Sequence, residues 1–190
     1  IEEVYESVGK VGAGHITLER LGAMCDVAIQ GPGVCAGMGT ANTMHIAAEV
    51  LGLALPGSTP VLANGDRMFA IAEAAGRRIV QMVNEDLRPS AILTPQAFEN
   101  AVMAGLALSA SINLVRHLQA IAAEARCPVD IYELYDRLGP KIPLLAAVRP
   151  NGETRIEELE AAGGTLGVMK RLGALIHRDA LTVSGRTWGT

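Results

Sequence analysis

The chain has 190 residues, a formal net charge of −4 at pH 7, and 49% apolar but only 3% aromatic residues. This length is enough for one domain with a sizeable core, and the acidic balance lacks the basic footprint of a nucleic-acid-binding protein. The longest apolar run, residues 101–115, is interrupted by polar residues and is shorter than the roughly 20 residues that a membrane helix needs. We therefore expect a single domain over residues 1–190, with no nucleic-acid partner and no membrane span.

The N-terminal half reads as helices around one glycine-rich loop. Apolar residues at helical spacing predict two helices, 2–11 and 17–25, followed by the apolar segment 27–29. After the loop, a helix is expected to begin near Thr40 and to run to about residue 55. Another is predicted over 67–83, with Asn64 or Asp66 as its cap.

The C-terminal half mixes helices with two short apolar runs. Thr94-Pro95 is a strong helix start and predicts one long buried helix from Pro95 to about Glu124. Small residues near Gly105 should let neighbouring elements approach closely. Residues 142–148 and 180–184 are predicted as strands, and Thr154 with Glu157 fits a capping box for a helix that ends near 163–164. This order favours an α/β fold rich in helix.

The loop around Cys35 is the most distinctive stretch. Gly31, Gly33, Gly37 and Gly39 surround the cysteine, so the backbone can approach a ligand closely. A helix N-terminus directly after the loop stabilises a thiolate, as a metal ligand or a nucleophile requires. The alternative is a tight turn that holds an ordinary buried cysteine.

Residues 35–44, Cys-Ala-Gly-Met-Gly-Thr-Ala-Asn-Thr-Met, resemble the signature of the dihydroxy-acid dehydratase/6-phosphogluconate dehydratase family. That signature reads Cys, two small residues, Met, any residue, then Thr-Ala-Asn-Thr/Ser-Met. Five further segments follow the family's order and spacing: Ala54–Gly57, Ala75–Val80, Ala97–Ala101, Ile142–Leu145 and Ala162–Gly164. Because family members are much longer, the resemblance implies an internal portion of the cluster-binding N-terminal domain, a layered α/β/α domain with a short parallel sheet.

The same resemblance implies an iron–sulfur cluster, [2Fe–2S] or [4Fe–4S], held by three cysteines from separate segments. Cys35 matches the third ligand, with Gly33, Gly37, Thr40 and Asn42 in the loop and helix start that would surround the cluster. The other two cysteines and the ligands of a Mg²⁺ ion are expected upstream of residue 1, and the serine base beyond residue 190. We expect the Cys35 sulfur to face a concavity.

Cys25 and Cys127 match no ligand position of the family, so both are interpreted as structural. An odd number of widely spaced cysteines does not suit a disulfide framework, which favours a reducing compartment, the cytoplasm.

Ser111-Ile112-Asn113, with His117 one turn later, resembles the family's Gly-Gly-Ser-Thr-Asn followed by His. Ser111 and Asn113 are therefore candidate substrate-binding residues. Ser109, Ala110 and Ile112 replace two glycines and a threonine, and the alternative is that Asn113 and His117 are hydrogen-bonded groups within a buried helix. The remaining histidines lack partners at ligand spacing and are interpreted as surface or hydrogen-bonded residues: His15, His45 and His177.

The resemblance implies dehydration of a 2,3-dihydroxy acid to a 2-keto acid, with the cluster as Lewis acid. It points first to dihydroxy-acid dehydratase of branched-chain amino acid biosynthesis. The alternative is a sugar-acid dehydratase acting on arabinonate, xylonate or 6-phosphogluconate. The substrate would be a small hydroxy acid, and the full-length enzyme a homo-oligomer, either dimer or tetramer. Residues 1–190 alone are expected to be inactive.

Two other classes stay open at this point. Gly31-x-Gly33-x-x-Ala36, with Glu49 downstream as a ribose-binding acid, fits a weak dinucleotide-binding fingerprint. Pro32 between the glycines suits that fingerprint poorly. The third class is a non-catalytic scaffold.

Overall fold

The computed structural model describes residues 2–29 and 31–190, and in these the chain is strongly helical. The described residues form two compact units, Ile1–Cys35 and Ala36–Thr190. The helices, in chain order, are α1 (Glu2–Gly12), α2 (Leu18–Ala28), α3 (Thr40–Val50), α4 (Asp66–Asn84), α5 (Pro89–Ile92), α6 (Pro95–Ala107), α7 (Asn113–Glu124), α8 (Ile131–Leu138), α9 (Ile156–Ala161) and α10 (Gly164–Leu172), followed by a 3-10 turn at Gly173–Leu175.

The first unit is built on the contact between α1 and α2. The predicted helix over 2–11 is confirmed, and Gly14 follows it with φ +73°, a backbone conformation that favours glycine. The Thr17 hydroxyl accepts a hydrogen bond from Arg20 N (3.1 Å) and caps α2. The prediction that this helix ends at Cys25 is wrong, because it continues through Val27 to Ala28.

The second unit is organised around α6, which contacts α3, α7, α8 and α10. Nine of its residues are buried, including Phe98 and Gly105. The close approach expected near Gly105 is confirmed: a Cβ there would lie 2.5 Å from Leu114 Cδ2 on α7. Because that separation is shorter than atoms tolerate, a larger residue at 105 would force the Leu114 side chain to move.

The single long helix predicted over 95–124 is wrong. The chain leaves helical geometry after Ala107, passes through Ser109 at φ +52°, and starts α7 at Asn113. Only α6 is apolar all round, whereas α7 buries one stripe, Leu114, Leu118 and Ala122. Breaking the helix lets that stripe fold back onto α6. Asn113 and His117, expected to be buried, are exposed.

Both predicted strands are wrong: in residues 2–29 and 31–190 these runs form only isolated bridges, a parallel one between Val148 and Thr154 and an antiparallel one between Leu181 and Thr187. The run over 142–148 instead covers the end of α6, because Leu145 N (2.7 Å) and Ala146 N (3.2 Å) both donate to the Ala107 carbonyl. An orphan carbonyl at a helix end needs such donors. The expectation of a helix-rich portion is confirmed.

Helix starts were predicted with mixed success. The start of α3 at Thr40 and the Thr94 cap of α6 are confirmed, the latter by a bond from Ala97 N to the Thr94 hydroxyl (3.4 Å). Asn64 and Asp66 do not cap α4, whose N-cap is Gly65. The predicted Thr154–Glu157 box lies one residue too early.

The start of α9 and the end of α3 show where local patterns mislead. At α9 the Glu158 carboxylate accepts from Arg155 N (2.7 Å), and this fixes the register one residue beyond the predicted box. Helix α3 ends at Val50 rather than near Leu55. Gly52 follows at φ +83°, where a Cβ would lie 2.5 Å from the Leu181 carbonyl oxygen. The close approach of the C-terminal segment therefore sets the end of α3.

None of the helices in the described part of the chain is long and apolar enough to cross a membrane.

Candidate functional site

The segment directly after Cys35 opens the second unit, and three hydrogen bonds hold it there. The Ala36 carbonyl accepts from Ile156 N (2.9 Å), and Met38 N donates to the Arg149 carbonyl (2.6 Å). The buried Asn42 side chain donates to the Gly37 carbonyl (2.8 Å). The chain therefore enters α3 in a defined conformation, with the Met38 side chain in the core.

Cys35 is the last residue of the first unit and lies five positions before the first residue of α3. Its side chain is half-buried, and Gly33 before it has φ +97°. Among the described residues no cysteine forms a disulfide bond. The direction of the Cys35 sulfur toward a concavity stays a prediction.

The other two cysteines differ in environment. Cys25 is exposed on α2. Cys127 is half-buried against the core, and this burial raises the pKa of its thiol. A neutral thiol of this kind behaves as a small apolar group rather than a nucleophile.

The two segments that the sequence singled out contact each other across the start of α3. The Thr40 hydroxyl accepts from Asn113 Nδ2 (2.8 Å) and lies 3.4 Å from the Ser111 hydroxyl. One turn further along α3, the Thr43 hydroxyl accepts from Ser111 N (3.0 Å). Residues about 70 positions apart in the sequence thus form one polar contact region, which we call the α3–α7 polar contact: Thr40, Thr43, Ser111 and Asn113.

Ser111 and Asn113 lie at the start of α7, and they differ in how far they are exposed to solvent. Asn113 is exposed, and its backbone N–H donates to the Ser111 hydroxyl (3.3 Å). Ser111 is half-buried and lines a cavity of about 240 Å³, whose wall includes Ile112, Val115 and Tyr135. Burial raises the pKa of Tyr135 to about 12, so its hydroxyl stays neutral at physiological pH.

Glu49, the ribose-binding acid of the dinucleotide-binding alternative, is a buried carboxylate that holds a loop. It is fully buried on α3, and its carboxylate accepts from Gly57 N (2.6 Å), Thr59 N (2.7 Å) and the Thr59 hydroxyl (2.7 Å). Burial raises its pKa, and these hydrogen bonds offset part of that effect. The sequence does contain a sign that Glu49 is buried: it is a lone acidic residue among the apolar residues of α3, a few positions before Pro56-Gly57.

This geometry removes the dinucleotide-binding alternative. The Glu49 carboxylate binds the loop over 57–59 and is not exposed to a ribose. The fingerprint also requires a strand before its glycines, and here the described residues that precede Gly31 belong to helix α2.

A second carboxylate, that of Glu99, joins α6 to the C-terminal segment, the residues that follow α10. Glu99 accepts from Arg137 Nη2 (2.7 Å) and lies 2.8 Å from His177 Nε2, while Asn100 exchanges two hydrogen bonds with the His177 backbone (2.8 and 3.0 Å). Burial acts to raise the pKa of Glu99, but the hydrogen bonds from His177 and Arg137 outweigh it and leave the pKa below its ordinary value. His177 is thus a hydrogen-bonded histidine, as expected.

The described residues by themselves do not make a complete metal site. Over 2–29 and 31–190, no three His, Cys, Asp or Glu side chains converge as metal ligands. Iron–sulfur clusters are held by several thiolates. One thiolate such as that of Cys35 is compatible with a place among such ligands, but it does not hold a cluster by itself.

Comparison with known proteins gives a consistent result. A family model described as dihydroxy-acid/6-phosphogluconate dehydratase N-terminal matches residues 1–190. The chain is 46% identical over 188 residues to the dihydroxy-acid dehydratase of Syntrophobacter fumaroxidans, covering 98% of this chain and 34% of that protein. It is 44% identical over 191 residues to the dihydroxy-acid dehydratase of Pyrococcus furiosus, covering 100% of this chain and 34% of the relative.

A third relative, the dihydroxy-acid dehydratase of Methanothermobacter thermautotrophicus, is 44% identical over 184 residues, 97% of this chain and 34% of that protein. The chain thus spans about a third of the length of these curated relatives. With a family match over all of its residues, the chain belongs to the dihydroxy-acid/6-phosphogluconate dehydratase family.

Proposed function

We propose that the protein containing this chain is a hydro-lyase that converts a 2,3-dihydroxy acid to a 2-keto acid, as in branched-chain amino acid biosynthesis. The observation that carries the proposal is the match over nearly the whole chain to relatives named dihydroxy-acid dehydratase. The anchored segment after Cys35 agrees with it, because a cluster ligand needs a fixed backbone.

In this proposal Cys35 is one ligand of an iron–sulfur cluster, and its thiolate binds iron rather than transferring a proton. When bound, the cluster supplies a Lewis-acidic iron for the departing hydroxyl group. Gly33, Gly37, Thr40 and Asn42 shape the backbone on either side of the ligand. The remaining cluster ligands and the ligands of a Mg²⁺ ion are provided by residues outside this chain. Cys35 is compatible with either a [2Fe–2S] or a [4Fe–4S] cluster.

Ser111 and Asn113 are proposed as substrate contacts. Ser111 lines the cavity of about 240 Å³, and Tyr135 lines the same space. Much of the remaining wall is apolar, contributed by Leu106, Ile112, Val115 and Leu144. A wall that combines hydroxyl groups with aliphatic side chains suits a small aliphatic dihydroxy acid.

A sugar-acid dehydratase is the second candidate, because the description of the matching family also names 6-phosphogluconate. The two candidates differ in substrate polarity. Turnover measured for an aliphatic 2,3-dihydroxy acid, arabinonate, xylonate and 6-phosphogluconate separates them. We expect the highest kcat/KM for the aliphatic acid, and a preference for a sugar acid would support the second candidate.

Three further parts of the proposal concern the whole enzyme. Residues 1–190 belong to one cluster-binding domain, a layered α/β/α domain whose sheet is completed by other parts of the longer protein. The enzyme is a cytoplasmic homo-oligomer, dimer or tetramer. It acts on a small hydroxy acid and binds neither nucleic acid nor membrane.

The test of the cluster role is Cys35→Ser in the complete enzyme. We expect loss of the visible absorbance of the cluster together with dehydratase activity, because serine replaces a soft thiolate by a weak hydroxyl donor. Cys25→Ser and Cys127→Ser are matched controls and should keep both properties. Full activity and absorbance in Cys35→Ser would contradict the proposal.

A further inference from the structure

Thr43 is a buried polar residue whose hydroxyl is directed to another element. Only 2% of the residue is exposed, and its hydroxyl accepts from Ser111 N (3.0 Å), 68 positions away in the sequence. Threonine hydroxyls in helices commonly bond to the carbonyl of the preceding turn. Here the hydroxyl serves instead as an acceptor for the connection between α6 and α7.

This bond and the one at Thr40 hold both ends of the segment 111–113. Thr40 and Thr43 lie three residues apart on α3 and therefore on one face. Thr43 accepts from the backbone at Ser111, while Thr40 accepts from the side chain of Asn113 (2.8 Å). Two acceptors on a rigid helix, each holding a different end, prevent the short segment from sliding along α3.

The backbone of this connection is held on both of its sides, and on the α6 side Ala110 N donates to the Gly105 carbonyl (3.0 Å). Ser109 has the left-handed φ of +52°, and the preceding helix ends at Ala107. The Asn151 side chain donates to the Ser109 carbonyl (2.8 Å), which holds the connection on its N-terminal side. On the C-terminal side, the bond to Thr43 is the one that reaches the buried interior.

We propose that Thr43 is a positioning residue for the substrate contacts Ser111 and Asn113. This inference rests on the proposed function of those two residues. Thr43 does not touch the substrate; its hydroxyl sets where the Ser111 hydroxyl and the Asn113 side chain stand relative to α3. Removing that acceptor leaves the N–H of the half-buried Ser111 without this partner and lets the segment shift to find water or another acceptor.

The test compares Thr43→Val with Thr43→Ser in the complete enzyme. Valine keeps the branched shape and removes the acceptor, whereas serine keeps the acceptor. We expect Thr43→Val to raise KM for an aliphatic 2,3-dihydroxy acid about tenfold, the scale of one lost hydrogen bond to a buried group. The kcat and the iron content per chain should stay at the wild-type level. Thr43→Ser should restore KM.

Hydrogen exchange at the Ser111 amide gives a second readout that does not depend on turnover. The amide should be protected in the wild type and in Thr43→Ser, and should exchange faster in Thr43→Val. An unprotected Ser111 amide in the wild type would overturn the proposal even where Thr43→Val fails to fold. So would faster exchange in Thr43→Val with an unchanged KM.

Ser111→Ala separates this inference from the proposed function. A normal KM in Ser111→Ala and in Asn113→Ala would refute their role as substrate contacts. A raised KM in those variants, with an unchanged KM in Thr43→Val, would refute only the positioning role of Thr43.

Discussion

Glu49 is the residue in which burial and hydrogen bonding oppose each other most directly. Burial favours the neutral carboxyl group, while three donors from Gly57 and Thr59 favour the carboxylate, and the net result is a raised pKa. A group whose pKa is raised by folding stabilises the native state fully below its unfolded pKa. That contribution falls as the pH rises through the raised value.

Glu49→Gln should therefore destabilise the fold in a pH-dependent way. The amide NH₂ would face backbone donors, and an unsatisfied buried donor costs about 1–3 kcal/mol. The deficit should be largest below the ordinary glutamate pKa of 4.5 and should shrink as the pH rises, because only the wild type bears the cost of ionising the buried group. Urea denaturation at several pH values measures this, with the exposed Glu73→Gln as control. A deficit that grows with pH would show that the pKa is lowered instead.

Ser111 and Asn113 show how far sequence reasoning reached at the scale of single residues. Their match to a family pattern identified them, and the structure places them against Thr40 of the other singled-out segment. The exposure of Asn113 was misjudged, since it depends on where α6 ends. Glu99 and His177 are 78 positions apart, and their contact follows from packing that a local pattern does not encode.

At the scale of elements, helix starts were predictable where a side chain defines them locally. The Thr94 side chain caps α6, and the proline ring of Pro95 holds φ at a helical value, so together they fix where the helix starts. Strands were not predictable, because a short apolar run such as 142–148 looks the same whether it pairs with a strand or covers a helix end. Its partner, the Ala107 carbonyl, is about 40 positions away.

The break between α6 and α7 carries a strained residue. Ser109 has φ +52°, a left-handed conformation that costs a non-glycine residue roughly 1 kcal/mol or more. Glycine occupies this position in the family pattern that the segment resembles. The break was missed because its cause is the fit of α7 onto α6 around Gly105, a tertiary contact.

Ser109→Gly should stabilise the protein by up to about 1 kcal/mol, because glycine adopts this φ without strain. For a chain of this size the unfolding temperature should rise by roughly 2–4 °C per kcal/mol. Ala110→Gly is the matched control: its φ is not in the left-handed region, so added glycine flexibility should lower the unfolding temperature. A lower unfolding temperature in Ser109→Gly would show that the serine side chain stabilises the turn more than its backbone strain costs.

At the scale of the whole molecule, the C-terminal segment of the second unit is tied to three helices. Trp188 Nε1 donates to the Val50 carbonyl of α3 (3.2 Å), Arg78 of α4 donates to the Val183 carbonyl, and Asn100 of α6 holds the His177 backbone. Arg78 also forms a two-pronged ion pair with Glu85 (2.8 and 2.6 Å). These contacts fix the C-terminal segment to α3, α4 and α6 of the second unit.

The second unit holds the proposed substrate contacts, and Cys35 is the last residue of the first unit, yet the described residues supply only part of a site. The described residues offer one thiolate at the proposed cluster position, and the chain spans 34% of the length of its relatives. A single thiolate does not retain an iron–sulfur cluster. The chain prepared alone should therefore bind no stable cluster and should dehydrate no 2,3-dihydroxy acid above a protein-free control.

Iron analysis, visible absorption and a keto-acid assay on residues 1–190 after anaerobic reconstitution measure this outcome. The complete enzyme, reconstituted in parallel, is the positive control, and circular dichroism shows whether the isolated chain keeps its helices. A folded chain that holds iron and sulfide in a stable complex absent from Cys35→Ser would contradict the expectation of a shared site. It would mean that other thiolates of this chain, Cys25 or Cys127, reach the Cys35 position.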